Sequence, residues 1–167
     1  MNLDILTEDD RWNDANLASV AERAAAALSA HLGLDASIFS ADVLACNDAR
    51  IADLNAEFRQ KPTPTNVLSW PSDERGSEVI GDAPEPPDPR FEAELGDIAI
   101  SFDTCQKEAI ESHIPFENHL SHLIIHAILH LLGYDHVEDE DAALMEGIEI
   151  AILEKMGIQN PYELSET

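Results

Sequence analysis

FENHLSHLIIHAILHLLGYDH, residues 116–136, is the stretch from which the rest of the chain is best read. From Phe116 to Leu132 it holds no glycine or proline, and its apolar residues recur every three or four positions, which predicts one helix with a buried face. Gly133 supplies the left-handed residue that lets the chain leave that helix. His126 and His130, four apart, stand one helical turn above each other, so two imidazoles can converge on one ion. Past the glycine bend, His136 can return to face the same ion from outside the helix. Three imidazole ligands with a fourth position left for water is the catalytic zinc pattern, because structural sites close with four protein ligands and mostly include cysteine. The segment predicts one Zn2+ at His126, His130 and His136.

What the segment lacks narrows the chemistry. Helix-borne zinc proteases place a glutamate directly after the first histidine as general base, and here that position is Ala127. The spacing of four and six resembles the metzincin proteases, yet the missing base argues against peptide hydrolysis by their mechanism. Asp135 either orients an imidazole or accepts a proton, or is a solvent-exposed turn residue, and the sequence leaves both open. His119 and His122 share the helical stripe of His126; either could support a ligand from behind or hold a water, but the reading as packing or surface histidines is favoured and both stay outside the metal set.

Working outward, the chain opens with Leu3 and Ile5 in alternation with polar residues, a strand, followed by an alanine-rich amphipathic helix from about Ala15 to Leu32 closed by Gly33. Ala41 to Cys46 is a second strand, after which Asn47 or Asp48 caps the short helix ARIADLNAEF. Val67 to Trp70 is a third strand and Gly96 to Ser101 a fourth, with Asp103 expected to cap a helix reaching about Glu111. Between them, residues 72–94 are rich in proline and acids, the mark of a long surface loop. A last helix runs from about Asp139 to Met156 and stops at Gly157. The sum is a single α+β domain over residues 1–167 with short strands and about five helices.

A chain of this length buries roughly 70% of its unfolded surface in one core. Thirty-four acids against nine bases give a formal charge of -25 and a pI near 4.2. Nucleic-acid binders usually carry a clustered basic face, so any RNA-directed role must rest on local charge. The acidic start has no secretory pattern and no window spans a bilayer, so a cytoplasmic protein without membrane attachment is expected. Cys46 and Cys105 form no C-x-x-C and are expected as small buried hydrophobes.

His126 to His136 resembles the H-G-x-L-H-L-x-G-Y-D-H signature of the bacterial YbeY family, with Ala127 where that family usually has glycine. Leu54 to Lys61 (LNAEFRQK) and Pro64 to Pro71 (PTNVLSWP) resemble its L-N-x-x-Y/F-R-x-K and P-T-N/D-V-L-S-F-P blocks. Leu95 to Ser101 resembles its central strand, and the likeness reaches Met145-Glu146 and Asn160-Pro161-Tyr162. The resemblance implies a small mixed four-stranded sheet packed with about five helices, a metalloprotease-like zinc site at the three histidines, and Arg59 as the residue tied to RNA cleavage. It further implies a zinc-dependent, single-strand-specific endoribonuclease in 16S rRNA 3′-end maturation and ribosome quality control. Its partners would be ribosomal RNA, the small ribosomal subunit, the Era GTPase and a small-subunit ribosomal protein. A guanidinium at Arg59 offers a planar fork for phosphate and can stabilise charge building on phosphoryl oxygens, while Lys61 supplies a point charge for the RNA backbone. The competing expectation is a ribosome-assembly factor whose zinc is mainly structural, which the net charge favours; a peptidase is the weakest.

Overall fold

The computed structural model describes residues 1–163. In chain order it runs β1 (Asn2–Thr7), a 3-10 turn (Asp10–Asp14), α1 (Leu17–Leu32), β2 (Ser40–Cys46), α2 (Asp48–Arg59), β3 (Val67–Pro71), β4 (Glu94–Ser101), α3 (Phe102–Glu111), α4 (Phe116–Leu131) and α5 (Asp139–Lys155). The sheet order is β1-β2-β4-β3, with β1, β2 and β4 parallel and β3 antiparallel to β4. This is the expected α+β architecture, with a mixed sheet of four strands and five helices.

Helix α4 is the spine. Leu120, Ile124, Ile128 and Leu131 are fully buried along it, spaced three or four apart as a single apolar face requires. That face packs on α1 and reaches β3 and β4, so the histidines at its C-terminal end are carried by a helix anchored in the core. Trp12 closes one end of this core, stacked against Phe116 and edge-on to Phe102, with its indole N–H donating to the Cys46 carbonyl at 2.9 Å. Cys46 and Cys105 are free and buried, and desolvation pushes both thiols up, Cys46 to about 12.

Two boundaries differ from the sequence reading for local reasons. Helix α1 starts at Leu17, because the acidic turn before it coils into a 3-10 segment and Asn16 takes a left-handed conformation. Asp103 does not cap its own helix. Ser101 holds the N-cap position of α3, and the Asp103 carboxylate instead accepts from the Asp48 backbone N–H at 3.0 Å and from Arg11 at 2.6 Å. It thus serves the exposed amides of α2, a neighbour in space that sequence spacing does not reveal.

Residues 72–93 form no helix or strand, as expected, but one residue ties them inward. The Arg75 side chain is 3% exposed, donates to the Leu131 carbonyl at 2.9 Å and the Leu95 carbonyl at 3.2 Å, and pairs with Glu92 at 3.2 Å. Among the described residues no helix is long and apolar enough to cross a membrane.

Candidate metal centre

The three sequence-predicted histidines meet. Their ligand atoms lie within 4.8 Å of one another, with His126 and His130 part-buried on α4 and His136 exposed beyond the Gly133 bend. Gly133 has φ +104 and makes that bend possible. Each helical imidazole is held from behind. His126 Nδ1 donates to the Glu149 carboxylate at 2.6 Å, and His130 Nδ1 donates to the Tyr134 carbonyl at 3.0 Å. Since a carbonyl and an ionised carboxylate only accept, both protons sit on Nδ1, and both Nε2 atoms present lone pairs.

Those two Nε2 atoms stand 3.1 Å apart. Two bare acceptors at that distance repel unless a proton or a cation lies between them. Two nitrogens on a tetrahedral zinc at about 2.0–2.1 Å would stand roughly 3.3 Å from each other, close to the separation seen. The donor set therefore fits a divalent metal ion. Burial, and then the neighbouring His126 and His136 rings, lower the His130 pKa to about 4, so this imidazole is neutral and ready to ligate at physiological pH. Glu149 is fully buried; burial works upward on its pKa, but hydrogen bonds from His122 and His126 more than offset this and hold it at about 2.

The histidines open on a cleft of about 260 Å³, whose other walls include Arg59, Lys61, Asn55, Asn66 and Ser69. Helix α2 ends at Arg59, and Gln60 takes a left-handed conformation that turns the chain so that Lys61 N–H returns to the Asn55 carbonyl. The Asn55 side chain fastens the same turn by donating to the Thr63 carbonyl at 2.9 Å. Asn66 is held by Glu108, which also accepts from His119 at 3.0 Å.

Charge is distributed unevenly around this cleft. Arg11, Arg23, Arg50, Arg75, Arg90 and Lys107 each lie within 4.0 Å of a carboxylate, and Lys155 contacts His31 at 2.7 Å. Of the nine basic side chains, Arg59 and Lys61 alone have neither a carboxylate nor a histidine partner among the described residues, and both line the cleft with the histidines. A recess beyond the histidines shares Arg59 with the cleft and sets Glu74 and Asp135 beside Arg59 and Arg75, so its charge is mixed.

Of the residues left open by the sequence, Asp135 is exposed, and its carboxylate accepts from the next backbone N–H at 2.7 Å. His122 is more than a packing residue, since its Nε2 lies 3.5 Å from Glu149 and 3.3 Å from the Tyr162 hydroxyl. Sequence reading missed Glu149. Its signal was an acid on the apolar face of α5, in line with Met145, Ile152 and Leu153, a position where a carboxylate needs a partner. It also missed Arg75, which nothing in the loop composition distinguishes from its exposed neighbours.

Three imidazoles aimed at one point, beside two cations without a partner among the described residues, define a class: α+β proteins whose cleft can hold a metal ion next to an anion. The sequence profile of one family, described as Endoribonuclease YbeY, matches residues 2–157, and the chain belongs to that family. It is 57% identical over 165 residues to an Endoribonuclease YbeY of Paracoccus denitrificans, covering 99% of this chain and 92% of that protein. It is 52% identical over 166 residues to one of Ruegeria pomeroyi, covering 98% and 99%. The solution structure of a Thermotoga maritima protein is similar with a TM-score of 0.60 at 26% identity, covering 92% of this chain and 87% of that one. An endoribonuclease role is what this membership supports.

Proposed function

We propose that the chain is a zinc-dependent endoribonuclease for single-stranded RNA, acting at the 3′ end of 16S ribosomal RNA on or near the small ribosomal subunit. The observation that carries this reading is the charge distribution: Arg59 and Lys61, which have no ion-pair partner among the described residues, share one cleft with the three histidines. His126 and His130, through Nε2, and His136 would hold the ion, which supplies Lewis acidity toward a phosphodiester. Arg59 donates to the phosphoryl oxygens as charge builds on them, and Lys61 holds an adjacent phosphate. Glu149 and the Tyr134 carbonyl keep the Nδ1 protons of His126 and His130 in place, so both rings ligate through Nε2. Ala127 is 1% exposed and packed in the core, so the position that carries the base in a zinc protease offers the cleft no carboxylate. The peptidase reading therefore has no support there.

The test is metal analysis of the purified protein alongside cleavage of immature small-subunit RNA, with and without ribosomal particles. Arg59 is exposed and has no ion-pair partner among the described residues, so Arg59→Ala should leave melting unchanged and lower cleavage by about 10²–10³-fold. A 5′-phosphate at the new end assigns attack to water, and a 2′,3′-cyclic phosphate assigns it to the ribose hydroxyl. Metal-loaded protein that cleaves no RNA in either setting sinks the proposal. The second reading, an assembly factor with a structural zinc, draws on the formal charge of -25. A His130→Ala protein that unfolds globally would favour it; one that keeps its fold and loses cleavage favours the enzyme.

A further inference from the structure

Glu149 has both carboxylate oxygens in use. Oε1 accepts from His126 Nδ1 at 2.6 Å and lies 3.5 Å from His122 Nε2, while Oε2 accepts from the Tyr162 hydroxyl. Tyr162 reaches this point because the chain doubles back after α5. Gly157 takes φ +75, Ile158 N–H returns to the Leu153 carbonyl, and Asn160 Oδ1 accepts from Tyr162 N–H at 2.9 Å. The ring of Tyr162 stands edge-on to His122 with centroids 5.4 Å apart, and His122 Nε2 lies 3.3 Å from its hydroxyl. His122, Tyr162, Glu149 and His126 thus form one hydrogen-bonded chain ending on a metal-facing imidazole.

A glutamate has three side-chain torsions, and an oxygen left without a partner would let the carboxylate turn and carry His126 with it. Burial alone does not prevent this; a second bond on the far oxygen does. We propose that Tyr162 is a positioning residue for the histidine cluster: its hydroxyl fixes the carboxylate that orients His126, so the C-terminal tail completes the metal-holding site. This rests on the reading that the histidines hold a metal. Outer partners of metal-ligating histidines typically change metal affinity by about 10- to 100-fold.

The test is zinc affinity of the full chain, measured by competition with a chromophoric chelator at neutral pH. Tyr162→Phe keeps the ring against His122 and deletes only the hydroxyl. It is expected to bind zinc about tenfold more weakly, with metal-free melting unchanged, and RNA cleavage should return when zinc is raised to saturation. Glu149→Gln should weaken zinc as well, and the double variant should be no weaker than the worse single one, since both changes break the same chain. A Tyr162→Phe protein within twofold of wild type, or strictly additive losses, overturns the proposal. So does a drop in metal-free melting that accounts for the whole loss, which would make Tyr162 a packing residue. If the wild-type chain takes up no zinc at all, the metal reading fails and this one with it; if wild type binds and Tyr162→Phe binds equally, only the present inference fails.

Discussion

Replacing Gly133 by alanine separates backbone geometry from every other contribution to the site. At φ +104 an alanine is strained, and its Cβ would lie 2.5 Å from the Arg75 carbonyl oxygen, 2.6 Å from the Arg75 carbonyl carbon and 2.9 Å from the Arg75 Cβ. Arg75 cannot retreat freely, because its guanidinium is bonded to the Leu131 and Leu95 carbonyls. Backbone strain of this kind costs about 1–3 kcal/mol, and displacing a bonded backbone adds a comparable amount. A total near 3–5 kcal/mol corresponds to a fall of roughly 6–20 °C in melting temperature for a chain of this size. The bend also aims His136 and sets the Tyr134 carbonyl that holds His130, so zinc affinity should fall with it. Two other glycines are built-in controls. Gly157, at φ +75 with nothing within 4 Å, should lose only about 1 kcal/mol as alanine. Gly147, inside α5 with open space around it, should gain about 0.5–1 kcal/mol. Thermal melts of the three variants give the order directly. If Gly133→Ala melts with the other two and titrates zinc like wild type, the claim that this bend builds the site is wrong.

Two further expectations concern ion pairs of opposite character. Arg75→Leu leaves the buried Leu131 carbonyl without its side-chain donor, at about 1–3 kcal/mol, and costs less at the Leu95 carbonyl, which keeps the Ser72 N–H at 2.9 Å; protease nicking within residues 72–93 should accelerate along with the loss in melting temperature, and an unchanged cleavage pattern would refute the anchor. At the surface, hydrogen bonds from Arg11 lower the pKa of Asp9 to about 2 from its ordinary 3.8, and that of Asp103 in the same direction. A carboxylate whose folded pKa is depressed stabilises above its unfolded value and loses that contribution as pH falls toward the folded one. Arg11→Met should therefore melt below wild type at neutral pH, with the gap closing between about pH 4 and pH 2. A gap that stays constant across that window would show the pair is not its source.

Periodicity and punctuation made most of the fold legible, and the reason lies in particular residues. Helix α4 has no breaker for sixteen residues and Gly133 has no Cβ, so both of its limits are local properties. The same holds for the strand at Leu95 to Ser101 and for the cap at Asn47. The imidazole cluster was legible because helical spacing and one bend fix it without long-range information. Its supports were not. Glu149 reaches His126 across a contact between two helices, Tyr162 reaches Glu149 from the tail, and Asp103 serves α2 from α3. Each joins residues whose separation is set by how the helices pack, and one chain read alone carries no record of that. An acid on an apolar helix face says only that a partner exists.

The formal charge of -25 looked like an objection to any polyanionic ligand, and the structure turns it into a statement about place. At physiological ionic strength the field of an exposed charge is largely screened beyond about 8 Å, so most of the acidic surface acts weakly at the histidine cleft. What a phosphate meets there is set by near neighbours, and those include two cations with no carboxylate partner among the described residues. Elsewhere a basic side chain that could hold a phosphate is already committed: Arg90 to Asp88, Arg50 to Glu8, Lys107 to Glu111. A strand settling elsewhere must break an ion pair, draw Lys155 away from His31 or lie against bare acids, whereas at Arg59 and Lys61 it displaces no carboxylate of the described residues. Pairing six of the nine bases with acids, and seating Lys155 against His31, therefore sharpens the site more than adding positive charge would, because it lowers the affinity of competing surfaces while leaving the cleft unchanged.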